Sequence, residues 1–510
     1  MMNELIILGF SLLTILLHKW SRRLRKHPLP PGPTAYPVVG CLPQMVRNKP
    51  TFRWMHNYMQ TSQTEIACFR LGSVHVITVT SPHLAREFFK EHDAVFSSRP
   101  ETMSTRLTTN GYLTAVLTPA GDQWKKMKRV VVSEVLKNDV YQLLHSKRCE
   151  EADHLVRYVY NRCQGDGVLN VRETAQLYCG GMIRKMVFGE RFFGRGMEDG
   201  GQGVEEAEHM DALWTVLMHT YGFAISDFVP FLEVFDLDGH KKIVTNALSC
   251  MKKYQDPRID KRVEIWRNGS RNTKEDILDI LINLRDSNDD PLLFAQEIKA
   301  QVNEIILAAI DNPASAVEWA LAEMMIEPSF LDLASKEIDE VVGRNRLVQE
   351  SDLPQLNFIK ACVKEAFRLH PVTAFNLPHV STVDSVVGGY HIPKGSHVML
   401  SRPGLGRNPN TWDEPLRFKP QRHTGQVVLH DPQLQILSFS TGLRGCPAIK
   451  LGSTMVTMLL ARLIQGFTWT PSSHTSLAHL VEADSHILLA QPLIAHVTPR
   501  LDTQLYHQIS

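Results

Sequence analysis

The stretch from Phe439 to Gly452, Phe-Ser-Thr-Gly-Leu-Arg-Gly-Cys-Pro-Ala-Ile-Lys-Leu-Gly, constrains this chain more than any other. Its one cysteine, Cys446, has no second Cys or His at metal-ligand spacing, which argues against a tetrahedral zinc site. Gly442 and Gly445 flank Arg444 and allow a tight loop whose backbone approaches the sulfur. Pro447 follows, and the spacing of Ile449, Leu451, Met455, Met458, Leu459 and Leu463 predicts a helix. Pro447 suits its first position and Gly466 the residue just past its end. Cys446 is thus expected at a helix N-terminus, where amide N–H groups and the helix dipole stabilise a thiolate. Such a thiolate can be the axial ligand of a haem iron. A buried structural thiol ahead of an ordinary amphipathic helix is the other reading of these residues.

The N-terminus carries a second constraint. Leu5–Leu17 is an almost continuous apolar run, followed by Lys19, Arg22, Arg23, Arg25 and Lys26. As a helix the run rises about 20 Å against a hydrocarbon layer of about 30 Å. Met1, Met2 and the snorkelling Lys19 and Trp20 extend it enough for a thin bilayer. Basic residues after the run favour a signal anchor over a cleaved signal peptide and leave the body in the cytosol. Residues 1–26 are therefore read as the anchor with its basic flank. Residues 27–40, with Leu29-Pro-Pro-Gly-Pro33, are a stiff proline-rich hinge. Residues 41–510 form the catalytic domain. The eight scattered cysteines suit a reducing compartment, and a net charge of +1 gives no reason to expect nucleic acid.

Along the chain, Ile66–Thr80 reads as a β-hairpin turned at Leu71-Gly72-Ser73. Helical patterns dominate from Ser81 to Leu331, and strands return at Val386–Tyr390 and Ser396–Leu400. The fold class is mainly α with a minor β-sheet region. Trp124 opens a helix crowded with Lys125, Lys126, Lys128 and Arg129, of which Lys125, Lys126 and Arg129 suit docking of an acidic partner or simply solvent. From Phe294 to Glu327 runs one long helical pattern interrupted at Pro313, which removes a hydrogen bond to the Ala309 carbonyl and either kinks the helix or ends one helix and starts another. Glu365 and Arg368 share a helical face, and Arg422 supplies a second arginine further on.

In order and spacing, these elements resemble the cytochrome P450 superfamily, whose ligand loop reads F-x-x-G-x-R-x-C-x-G. Phe439, Gly442, Arg444 and Cys446 match it, and Ala448 departs from it. The resemblance implies the single-domain, α-rich cytochrome P450 fold, haem b (iron protoporphyrin IX), O2, and electrons from NADPH through NADPH-cytochrome P450 reductase. It makes Cys446 the iron ligand and Phe439 part of its loop. Trp124, Lys128, Arg99, His379 and Arg444 become haem-propionate contacts. Asp311 fills the acid position of a proton-delivering acid–threonine pair, with Asn312 in place of the threonine. Both arginines would meet Glu365 and lock the haem-side core.

A finer resemblance is to the plant amino-acid N-monooxygenases that make aldoximes. It rests on Ala309-Ile-Asp-Asn-Pro313, Phe375-Asn-Leu-Pro-His-Val380, Leu400-Ser-Arg-Pro-Gly-Leu-Gly-Arg-Asn-Pro409 and Gln465-Gly-Phe-Thr-Trp469. It implies two N-hydroxylations of an L-amino acid, then dehydration and decarboxylation, in glucosinolate or related defence metabolism at the endoplasmic reticulum membrane, with a single span. Segments 104–115, 305–313 and 373–378 would lie over the haem. Arg106 is the first candidate for the substrate carboxylate, with Asn110 and Asn376 behind it and Phe375 in the same segment. Asp311 or the Ala309 carbonyl would receive the ammonium. Three readings stay open beside this one: hydroxylation of another plant metabolite, a reductase-independent hydroperoxide lyase or isomerase, and an inactive haem protein.

Overall fold

Two consecutive helices, Ala295–Ala309 and Asp311–Ile326, run through the middle of the molecule. The computed structural model describes residues 27–509 other than 424 and 473–480, so the expected anchor at 1–26 lies outside the described residues. The second central helix is sealed from Pro313 to Ala322 without a polar face, as expected of a helix apolar all round. The pair is long and apolar enough to cross a membrane, but 78% of its most apolar window is buried inside the protein. It is a core element. Val171–Phe188, Asn357–Leu369 and Ile449–Gly466 pack around it in one continuous apolar core.

The kink expected at Pro313 appears as a break at Ile310, whose φ and ψ are −96° and −62°. Pro313 has no N–H to donate, and its ring would clash with the carbonyl of Ala309, so the helix yields one turn earlier. The side chain of Asn312 repairs part of the loss: its Nδ2 donates to the Ala308 carbonyl at 3.1 Å.

The hairpin forms as Ile66–Leu71 and Val74–Val79, with Gly72 at φ +57° in the turn. Val74–Val79 runs parallel to His397–Leu400, which pairs in turn with His379–Val380, completing a four-stranded sheet. The proline-rich segment lies against this sheet, where the Cys68 N–H donates to the Pro31 carbonyl at 2.7 Å. Val386–Tyr390, expected as a strand, is split into the hairpin Ser385–Val387 and Tyr390–Ile392, because Gly388 and Gly389 turn the chain at φ +56° and +77°. A further sheet of Val168–Asn170, Ile494–Pro499 and Phe467–Pro471 is absent from the sequence reading. Its first strand has three residues and interrupts a helical stretch, too short to show a period of two.

Candidate active site

The Cys446 loop closes as a 3-10 turn over Gly442–Arg444 before the helix Ile449–Gly466. The Cys446 N–H donates to the Phe439 carbonyl at 2.8 Å, and the Leu443 N–H to Asp93 Oδ2 at 2.8 Å. Gly442 sits at φ +70°, and a Cβ there would fall 2.5 Å from the Asp93 carboxylate, so this corner demands glycine. The helix begins later than expected. Ala448, at φ −97° and ψ 31°, is its N-cap, so Pro447 precedes the helix, and Gly466 is its last residue. Burial pushes the Cys446 thiol up, opposed by a hydrogen bond from the Ala448 backbone and by the charge of Arg402. Thiolate stabilisation thus rests on one amide and one cation, and a bound metal adds the strongest pull of all.

Above the loop the expected cations converge. Arg99 donates from Nη1 to the carbonyls of Leu377 at 2.8 Å and Pro378 at 2.9 Å, and from Nε to that of Val116 at 3.2 Å. Arg444 donates to Ser97 O at 2.6 Å, Thr118 O at 2.9 Å and Val116 O at 3.4 Å, with its guanidinium 4.0 Å over the Trp124 ring. Lys128 donates to Leu443 O at 2.8 Å, and His379 Nδ1 meets Phe96 O at 2.7 Å. Their partners are backbone carbonyls, and none of these bonds is to a carboxylate. Burial pushes Arg99 down to about 10 and Arg444 down to about 9, each also depressed or held by its neighbours' charges. His379 is driven well below its ordinary value by burial, then by the charge of Arg99. Glu304 acts on both arginines and Asp93 on Lys128, but neither carboxylate bonds to them, and crowded cations so weakly matched are costly in a protein interior. They are the donor set that two carboxylates in one ligand would satisfy, so the site fits a haem whose propionates lie among Arg99, Trp124, Lys128, His379 and Arg444.

The central helices form the facing wall. Ala308 and Asn312 keep open surface in a stretch otherwise sealed, and Ala309 keeps some. Asp311 is buried, with Oδ1 accepting from Gln176 Nε2 at 3.0 Å and Oδ2 without a partner. Burial lifts its carboxyl to about 6 against the pull of Gln176 and Arg172.

The substrate candidates separate. Arg106, on the helix Met103–Thr108, turns to Glu233 at 2.5 Å with its side chain 49% exposed. Asn110 sits at φ +53° in an exposed position and donates to Gln296 at 2.9 Å. Neither is aimed inward, because each finds a partner across the surface loops. Phe375 stacks obliquely on His56, 5.0 Å between ring centres. Asn376 is buried, and its Nδ2 has no acceptor. Lys126, read as part of the basic docking face, is instead held by Glu297 at 2.8 Å, while Lys125 and Arg129 remain exposed.

Two features escaped the sequence reading. Glu304 is fully buried and accepts hydrogen bonds from the backbone of Ala115, Val116 and Leu117 at 3.0–3.1 Å. Its only sequence signal is a carboxylate on an apolar helix. Beneath the haem-side core, Glu365 receives Arg368 at 2.7 Å, Arg422 at 2.9 Å and also His423 at 2.8 Å, where the superfamily pattern has an apolar ring. A separate cavity of about 610 Å³ between Lys336, Arg344 and Trp469 is remote from Cys446, and its Asp339 is already paired with Arg344 and Arg500.

Comparison with known proteins agrees with this geometry. Residues 30–496 match the family described as Cytochrome P450. A tryptophan N-monooxygenase of Prunus mume is 52% identical over 94% of this chain and 91% of its own length. A phenylalanine N-monooxygenase of Arabidopsis thaliana is 50% identical over 98% of both chains, and valine N-monooxygenase 1 of Manihot esculenta is 50% identical over 94% of this chain and 89% of its own. A zebrafish cytochrome P450 solved with progesterone shares the fold, with a TM-score of 0.70 at 21% identity, covering 89% of this chain and all of that one. With a family match over residues 30–496 laid over a cysteine loop and a cluster of cations bonded only to backbone carbonyls, the chain belongs to the cytochrome P450 family, in its branch of amino-acid N-monooxygenases.

Proposed function

We propose that the protein converts an L-amino acid to its aldoxime, with electrons from NADPH through NADPH-cytochrome P450 reductase. The observation that carries this reading is near-full-length identity of about half to N-monooxygenases named for tryptophan, phenylalanine and valine. Each hydroxylation places one atom of O2 in an N–H bond and reduces the other to water with two electrons and two protons. Loss of water and CO2 then leaves the oxime. Haem held by Cys446 supplies the iron at which O2 is reduced.

The chain's own residues do the rest. Arg99, Lys128, His379 and Arg444 hold the propionates and so set the tilt of the ring. Asp311, with a carboxyl at about 6 and a free Oδ2, holds or releases a proton near neutrality. Asn312 spends its amide on Ala308 O and has no hydroxyl for a relay, so proton supply falls to Asp311. The Ala309 carbonyl, deprived by Pro313 of its helical donor, is the acceptor offered to a substrate ammonium.

A single-pass anchor in the endoplasmic reticulum membrane, with the body in the cytosol, follows from the N-terminal charge order. The turn Pro230–Phe235 supports membrane contact, since Phe231 is 76% and Val234 85% exposed. Exposed Lys125 and Arg129 suit an acidic flavoprotein. Glucosinolate or related nitrogen-containing defence metabolism is the proposed setting. The test is to supply reductase, NADPH and a panel of aromatic, aliphatic and chain-elongated amino acids and to assay oximes. Absence of any oxime from a protein with an intact reduced-carbonyl spectrum sinks the reading.

A further inference from the structure

Arg402 opens the short helix Arg402–Gly406, and its backbone N–H donates to the Ala374 carbonyl at 2.9 Å. This contact flanks the antiparallel bridge between Phe375 and Ser401. The Arg402 guanidinium makes no hydrogen bond or ion pair with any described residue, and its Nε is sealed from solvent without an acceptor. On the opposite strand of the bridge, Asn376 is locked by its own Oδ1, which accepts the Leu400 N–H at 2.7 Å, and by its N–H, which donates to Leu400 O at 3.2 Å. Those bonds fix the carboxamide and leave Nδ2 as a second buried donor with no acceptor. By pleat alternation Asn376 and Arg402 lie on the same face of the bridge, opposite to Phe375 and Ser401. Two unmet donors of this kind, one of them a cation, are rarely tolerated without a ligand.

Arg402 does not belong to the propionate cluster. Arg444 feels the charge of Arg99, and both feel Tyr221 and Glu304. The one charge that acts on Arg402 is that of Cys446, and not those of the Arg99–Arg444 cluster. Burial nonetheless pushes the guanidinium down to about 10. A planar guanidinium with an amide N–H beside it matches the geometry of a carboxylate, and not that of a neutral or cationic group.

We propose that Arg402 and Asn376 together bind the α-carboxylate of the amino-acid substrate. This rests on the proposed reaction and adds the residues that make it selective for an amino acid over an amine. It also gives the reaction a direction. Decarboxylation removes the group the pair holds, so the neutral aldoxime loses its anchor and departs.

Arg402→Gln, Arg402→Lys and Asn376→Leu in the full-length, haem-loaded protein test the assignment by optical titration. L-Phenylalanine, L-tryptophan and L-valine are compared with 2-phenylethylamine, tryptamine and isobutylamine, which lack the carboxylate. Arg402→Gln is expected to weaken amino-acid binding at least about thirtyfold. Amine binding, haem content and the reduced-carbonyl band should stay as in wild type. Arg402→Lys should fall between, and Asn376→Leu should cost a few-fold, again for the amino acids alone. Equal losses for amino acid and amine, or no loss, overturn the proposal. Loss of haem from Arg402→Gln but not Arg402→Lys assigns the guanidinium to a propionate and overturns it too. If Arg402→Gln does not fold, Arg402→Lys and Asn376→Leu carry the same comparison. Wild-type protein that binds these amino acids but forms no oxime sinks the proposed reaction, while the affinities still decide the carboxylate pair. Wild-type protein that binds neither these three nor any other aromatic, aliphatic or chain-elongated amino acid of the oxime panel overturns both.

Discussion

Glu304 and Val116 are joined in both directions of the site: the Val116 N–H donates to both Glu304 oxygens, at 3.1 and 3.0 Å, while the Val116 carbonyl accepts from Arg99 and Arg444. One carboxylate on the central helix therefore fixes the loop that carries acceptors of two buried arginines, Arg99 and Arg444. The central helix, the loop Ala115–Leu117 and the two arginines are thereby joined into one bonded unit.

Removing that carboxylate should loosen the unit. Glu304→Ala leaves the Val116 and Leu117 amides without an acceptor, while Ala115 keeps Gln301 Oε1 at 3.1 Å, at about 1–3 kcal/mol for each amide that water cannot reach. Thermal unfolding of the haem-loaded protein should shift down by several degrees and haem occupancy should fall, with Glu304→Gln intermediate. An unchanged melting temperature and haem content would show that the loop is held by other contacts.

Much of this arrangement was legible because its signals are local. The Cys446 loop, the proline interruption of the central helix and the Glu365–Arg368 spacing each lie within a few residues, where geometry follows from order. The cations at 99, 124–128, 379 and 444 were legible only through resemblance, since nothing in their spacing says that they meet. Sequence position alone leaves Arg106 open between an inward carboxylate partner and a solvent-exposed arginine, because it says nothing of Glu233, a partner 127 residues away in the chain. Glu304 and Arg402 were passed over for the same reason. Their importance lies in which atoms they find, or fail to find, across the fold.

Asp311 predicts a trade between stability and function. Its carboxyl is lifted by burial from 3.8 to about 6, so folding favours the protonated form. For a raised carboxyl the cost to stability begins near pH 4, grows to about pH 6 and is constant above it. Asp311→Asn removes this cost and should stabilise the protein at pH 7.5 by up to about 3 kcal/mol, with the gain vanishing by pH 4. Oxime formation should fall in the same variant. Denaturant titrations at the two pH values check the first part, and equal stability at pH 7.5 would remove the buried charge from the account.

Glu365 predicts the opposite pH dependence. Burial alone would raise its carboxyl, but the bonds from His423 and Arg368 overrule it and hold the group at about 2. A depressed carboxyl contributes stability that is whole above about pH 4.5 and is lost as pH falls toward 2. His423→Phe restores the apolar ring of the superfamily pattern and deletes one of those bonds. The variant should be less stable than wild type by about 1–2 kcal/mol at pH 6, with the gap closing below pH 4.5. A gap that persists at pH 3 would mean that His423 acts through packing and not through Glu365.

Membrane attachment should have two separable parts. Residues 1–26 carry the apolar run, but the turn Pro230–Phe235 presents Phe231 at 76% and Phe235 at 68% exposure, far more than an isolated surface residue needs. Each phenylalanine taken out of water contributes about 1.5–3 kcal/mol, so the turn alone can hold the body on a bilayer weakly and reversibly. Deleting 1–26 should leave a protein with an unchanged haem spectrum that still floats in part with phospholipid vesicles. Adding Phe231→Ser and Phe235→Ser to the truncated chain should release the remainder without altering the spectrum, because neither ring is packed against the core. A truncated protein that never floats would confine attachment to the N-terminal run. One that floats equally with both serines in place would move the second contact to another surface.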